Sequence, residues 1–111
     1  MTRTRQNLFR LPSTFDPAHE FRQILHESPA IRVEQIVSQG HRTSVGEWHD
    51  QDSDEWVALL MGEALLVYED GTAEPMLRGD WTFIPAHQRH RVERTSADPP
   101  CVWLAVHLIR K

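Results

Sequence analysis

From Ala30 onward, the chain interrupts every apolar run before it can complete a long helix. The breaks fall at Gln39-Gly40, Gly62, Glu69-Asp70-Gly71, Gly79-Asp80, Pro85 and Asp98-Pro99-Pro100. Short apolar runs bounded by Gly, Pro and Asp are strand signals. In "IRVEQIV" (31–37), Ile31, Val33, Gln35 and Val37 alternate with Arg32, Glu34 and Ile36, as in a half-buried strand. "TSVGEWH" (43–49) reads as a second strand, and "WVALLM" and "EALLVYE" flank Gly62. The stretch "PMLRGDWTFIPAHQRHRVERT" gives two more around Pro85, and "CVWLAVHLI" closes the series. Seven or eight short strands at this spacing predict an all-β sandwich or small barrel.

The N-terminal 29 residues differ in texture. Residues 1 to about 12 read as an arm carrying Arg3, Arg5 and Arg10. "DPAHEFRQILHES" (16–28) then predicts a short helix. Asp16 suits the N-cap, Pro17 the first turn, and Phe21, Ile24 and Leu25 recur at helical spacing. Pro29 ends it, because a proline disfavours helical geometry at the residue before it. The expected organisation is an arm and helix over 1–29 and a barrel over 30–111.

A chain of 111 residues favours one domain. Its single cysteine, Cys101, excludes an internal disulfide and any thiolate zinc framework. A net charge of −4 argues against a nucleic-acid partner. No apolar segment follows the basic start as in a signal peptide, and no run approaches the ~20 residues that span a bilayer. The expectation is a cytoplasmic protein without a membrane partner. Several strands are apolar on both faces: Val57, Leu59 and Met61 point one way, while Trp56, Ala58 and Leu60 point the other. A lone antiparallel sheet keeps one face polar. Either the N-terminal segment or a second subunit covers the outer surface, and a homodimer is the favoured expectation.

The chemistry concentrates in "GEWHDQDSDEWVALLMG" (46–62). On one straight strand His49 and Glu55 would stand roughly 20 Å apart, too far to share a ligand. Asp52-Ser53-Asp54 suits a reversal, since Asp and Ser side chains bond the backbone of tight loops. Such a reversal brings His49, Gln51 and Glu55 together. A fourth group comes from "IPAHQRHRVERT": if His90 faces inward, so does Val92, while Arg91, Glu93 and Thr95 face out. Two imidazoles and a carboxylate make the ligand set of a facial triad with positions left for water or substrate. Asp50, Asp52 and Asp54 alternate like a calcium loop, but the sixth and twelfth positions are Glu55 and Met61 rather than Gly and Glu. No glycine-rich phosphate loop is present.

Two spacings, Glu55-x6-Gly62 and Gly79-x5-Pro85-x4-His90, resemble the paired motifs of the cupin superfamily across residues 40 to 95. The resemblance implies a double-stranded β-helix, or jelly-roll barrel, preceded here by the short helix. It also implies a divalent metal (Fe, Mn, Ni or Zn) held by His49, Glu55 and His90. Aligned on Glu55, the family's second histidine falls on Gln51, which would be a neutral oxygen donor. His87 stands where the family has glycine, and Arg94 where it has asparagine. Trp48, Trp81, His87, Trp103 and His107 are candidates for the cavity wall. The implied function is metal-dependent chemistry, of oxygenase, isomerase or lyase type, on a small molecule in the cavity. The alternative is a non-catalytic ligand-binding or sensor barrel with a degenerate metal site, so the sequence leaves open whether the protein is an enzyme.

Overall fold

The computed structural model describes residues 5–11 and 15–109. Arg3 and Pro12, both in the expected arm, lie outside the described residues. Eight strands form among the described residues: β1 Phe21–Glu27, β2 Ile31–Ser38, β3 Asp54–Met61, β4 Ala64–Tyr68, β5 Ala73–Met76, β6 Trp81–Ile84, β7 His90–Thr95 and β8 Cys101–Leu108. They build an antiparallel five-stranded sheet, ordered β1-β2-β8-β3-β6, and a three-stranded sheet, ordered β5-β4-β7. The two sheets enclose a core of Leu59, Leu66, Met76, Ile84 and Trp103.

The expected barrel is not closed by strand pairing, because no strand of one sheet is hydrogen-bonded along its length to a strand of the other. The loop over 39–53 bridges them on one side. Thr43 N donates to Val92 O at 2.9 Å, and His49 and His90 exchange backbone hydrogen bonds of 2.7 and 3.2 Å. The expected strand 43–49 is therefore a loop touching the small sheet at single points. Gly46, at φ 85°, turns the chain in its middle, and Glu47 N closes that turn on Ser44 O.

The expected helix over 16–28 is also absent. Asp16 does cap a turn, accepting from Ala18 N at 3.0 Å, but the turn stops at His19 and Phe21–Glu27 pairs with β2. An isolated helix this short is marginal in water, whereas an edge strand gains a full ladder of partners through the short Ser28-Pro29-Ala30 connection. Tertiary pairing overrides the local period.

Pairing register explains the two-faced strands. Phe21, Val37, Val102, Leu104, Trp56 and Ala58 lie on the outer face of the large sheet. The N-terminal segment covers part of this face: Gln35 Nε2 donates to Leu8 O, and Gln35 is buried. The β3–β6 end stays open, with Trp81 61% exposed beside Trp56 at a ring separation of 5.9 Å. On β7 the expected inward alternation holds for His90 and Val92, but Thr95 is buried as well. A bulge at Glu93 shifts the register between Val92 and Arg94 and turns Thr95 inward.

Gly62 joins β3 to β4 where nothing larger fits. At φ 92°, its added Cβ would stand 2.8 Å from Pro100 O and 2.9 Å from Cys101 Cα. Gly71 has the same φ but open space around it. Gly62→Ala is expected to cost about 2 kcal/mol or more. Gly71→Ala, strained in the backbone alone, should cost about 1 kcal/mol. Denaturant titration of the two variants checks the difference, and equal costs would contradict the close approach.

Candidate active site

A cavity of about 70 Å³ opens between the sheets, room for roughly five water molecules. His49, Gln51, Glu55 and His90 all line it. Glu55 reaches it from β3 and His90 from β7, so the carboxyl and imidazole come from opposite sheets. His49 and Gln51 come from the loop. Its backbone is pinned by the two His49–His90 bonds and by His87 N, which donates to Gln51 O at 2.8 Å. The chain bends at Asp52 and Ser53 before entering β3 at Asp54, and Asp54 Oδ1 accepts from Ala86 N at 2.8 Å. Trp103 and His107 lie on the wall, both buried.

Three expected wall residues stand elsewhere. Trp81 pairs with Ala58, which turns its ring to the outer face. Trp48 lies beneath the Arg91 guanidinium, 5.9 Å from the ring centroid. His87 adopts φ 66° and points outward, its Nδ1 2.8 Å from Asp50 Oδ1. Conversely, sequence reasoning missed Glu20, Arg22 and Ser38 on the wall. They form a chain: Ser38 Oγ donates to Glu20 Oε2 at 2.7 Å, and Arg22 Nη2 to Glu20 Oε1 at 3.2 Å. The usable signal was the alternation of Glu20 and Arg22 with Phe21 and Gln23, which competes with the helical spacing of Phe21, Ile24 and Leu25.

Burial governs the electrostatics. Glu55 is 7% exposed, and desolvation followed by the neighbouring Glu34 carboxylate pushes its pKa up to about 7, with Arg22 and Arg32 opposing. Desolvation, then the nearby His90 and Arg22, lowers the pKa of His49. Desolvation also lowers that of His107, against the pull of Glu34. Burial thus pushes Glu55, His49 and His107 each toward its neutral form.

For a metal, the donors fit in kind. His90 is 5% exposed and its Nδ1 donates to Gln88 O at 2.9 Å. In the neutral ring this leaves the lone pair on Nε2, the arrangement that orients a ligating imidazole. The His49 ring lies 5.5 Å away, with its Nε2 3.2 Å from the Thr43 hydroxyl. Among the described residues, no three His, Cys, Asp or Glu side chains stand close enough together to hold an ion as placed. No helix among them is long and apolar enough to cross a membrane.

The family model for the cupin domain matches residues 33–107. No curated protein matches the chain. Among solved structures, a provisionally named mannose-6-phosphate isomerase from Ralstonia eutropha JMP134 is 37% identical. Its TM-score is 0.86, and the match covers 97% of this chain and 100% of that one. TT1209 from Thermus thermophilus is 21% identical with a TM-score of 0.75, covering 96% and 97% of the two chains. The polyketide cyclase RemF from Streptomyces resistomycificus is 18% identical with a TM-score of 0.68, covering 82% and 66%. These last two share the fold alone.

The raised Glu55 pKa sets a pH dependence. The unfolded chain ionises this carboxyl near its ordinary 4.5, the folded chain near 7. Between those values the folded state holds a proton that the unfolded state has lost, so stability falls as pH rises through the window. In protein stripped of metal, Glu55→Gln should match the parent below pH 4.5 and exceed its stability above pH 7. The gain is on the order of 3 kcal/mol. Superimposable melting-temperature curves against pH for the two proteins would contradict it.

Proposed function

The chain belongs to the cupin family, and on that basis we propose that its cavity binds a small molecule beside a divalent metal held by His49, Gln51, Glu55 and His90. The observation that carries this reading is convergence: two buried groups from opposite sheets, Glu55 and His90, face one cavity with His49 and Gln51. His90, with its Nδ1 committed to Gln88 O, presents Nε2 as a donor. A bound divalent ion would polarise a substrate oxygen as a Lewis acid. The chain's own part is to exclude water with Val57, Leu66, Ile84, Val92 and Trp103, and to place the substrate against Gln51, whose amide can donate or accept. The provisional isomerase name of the Ralstonia relative supports an enzymatic role without fixing a substrate.

A second reading is a cavity that binds its ligand without catalysis. The amide at position 51 and the Thr43 hydrogen bond on His49 Nε2 favour it. Outside the cavity, the open apolar patch around Trp56, Trp81 and Phe83 supports assembly as a homodimer. A cytoplasmic setting is part of the same reading.

Elemental analysis of protein purified without chelator or immobilised nickel should find one metal per chain. That metal should be lost in Glu55→Ala and His90→Ala, and held more tightly in Gln51→His. Folded, metal-free parent protein, or variants that keep full metal content, would favour the second reading.

A further inference from the structure

His107 is 4% exposed and lines the cavity, yet neither ring nitrogen has a hydrogen-bond partner among the described residues. The carboxylate beside it belongs to Glu34, whose Oε1 stands 3.6 Å from Nε2, beyond hydrogen-bonding reach. Buried imidazoles are ordinarily satisfied, and one that is not calls for a physical account. The other oxygen of the same carboxylate, Glu34 Oε2, stands 3.5 Å from Arg22 Nη1. His107 and Arg22 therefore flank one carboxylate from two sides, both facing the cavity.

Arg22 is also loosely held. It is the one arginine or lysine on this wall among the described residues. Its two contacts, 3.2 Å to Glu20 and 3.5 Å to Glu34, are longer than the bonds those carboxylates make elsewhere. Glu20 accepts from Ser38 at 2.7 Å, and Glu34 from Arg32 Nε at 2.7 Å. An incoming carboxylate would compete with Glu20 and Glu34 for the Arg22 fork, and each displaced glutamate would keep its shorter partner, Ser38 or Arg32. The space between the sheets, about 70 Å³, holds a few water-sized groups, which fits a short acid.

We propose that the ligand of this cavity is a small hydroxy- or oxo-carboxylic acid, its carboxylate on Arg22 and its hydroxyl or carbonyl oxygen on His107. The inference rests on the small-molecule reading above and names the chemical class of that ligand. His107 serves as the group that selects for the oxygen substituent: one ring nitrogen can donate to a carbonyl and the other accept from a hydroxyl. Arg22 selects for charge. The apolar wall residues Ile36 and Trp103 accommodate the short carbon chain between them.

Calorimetric titration with lactate, pyruvate, propionate and lactamide separates these roles. The purified protein should bind lactate and pyruvate roughly 10- to 100-fold more tightly than lactamide, which lacks the charge. Arg22→Gln should bring lactate down to the level of lactamide, while Arg78→Gln, an exposed charge in a distant turn, should leave the preference intact. His107→Phe, which keeps a ring of similar size, should erase the preference for lactate over propionate and leave propionate unchanged. Circular dichroism checks that each variant folds. Equal binding of lactate and lactamide, a preference that survives Arg22→Gln, or no binding of lactate or pyruvate at millimolar concentration overturns the proposal. Metal content measured on the same samples keeps the two readings apart. Metal retained without acid preference sinks only this inference, and acid preference in metal-free protein sinks only the metal site.

Discussion

Register across the large sheet is the constraint from which the rest follows. β8 pairs with both β2 and β3, and the pairings place Arg32, His107, Glu55 and Ile84 in one row on the inner face. The next row is Glu34, Ala105, Val57 and Thr82, and the one beyond holds Ile36, Trp103 and Leu59. Polarity therefore falls from one end of the sheet to the other. The apolar end packs as core, and the polar end becomes a cavity wall because its groups cannot be packed dry. A slip of one residue would exchange every inward side chain for its outward neighbour. It would place Trp56 and Val106 inside and leave Leu59, the largest fully buried side chain, on the surface. The apolar rows fix the register, and the register in turn forces Glu55 and His107 into the interior.

Opposite that wall, support is uneven. Glu55 and His90 sit on strands of two different sheets, while His49 and Gln51 sit on an irregular loop. Thr43 ties the loop down: its backbone N donates to Val92 O, its hydroxyl accepts from Val92 N at 2.9 Å, and the same hydroxyl meets His49 Nε2. A rigid carboxyl–imidazole pair with two adjustable partners is a common division of labour, since loops carry functional groups on a scaffold that strands hold still. It also means that one threonine sets which nitrogen of His49 is available to the cavity.

How much of this was legible in the sequence depends on how local its cause is. The Glu55-x6-Gly62 spacing was readable because a glycine with φ 92° and backbone within 3 Å of its Cβ position admits no other residue. The turn at Gly79-Asp80 and the inward His90 were readable for similar reasons, each resting on turn chemistry or a two-residue period. The errors share another origin. Phe21, Ile24 and Leu25 carry a helical period, and only the presence of β2 as a neighbour makes them a strand. The 43–49 segment has strand-like residues, but Gly46 and its contacts to β7 keep it a loop. Thr95 was misplaced by a bulge that no local pattern marks. Trp81 had the composition of a pocket residue, and its direction was decided by pairing with Ala58.

The misread segment is also the one that completes the cavity. β1 is the edge of the large sheet, and edges are open to unwanted pairing unless they are irregular or charged. Here the bulge between Ile24 and His26 and the charges of Arg22 and Glu27 meet that need. Arg22 faces the cavity because the β1–β2 register sets it opposite Ile36, on the inner face, while Phe21 and Gln23 turn outward. Its place on the wall therefore depends on a strand that contributes little to the core. Substitutions in β1 can change the charge presented to a ligand while leaving Leu59, Trp103 and the Glu55–His107 row in place. In a fold that hosts many chemistries on one scaffold, specificity is free to vary at this edge because stability is decided elsewhere.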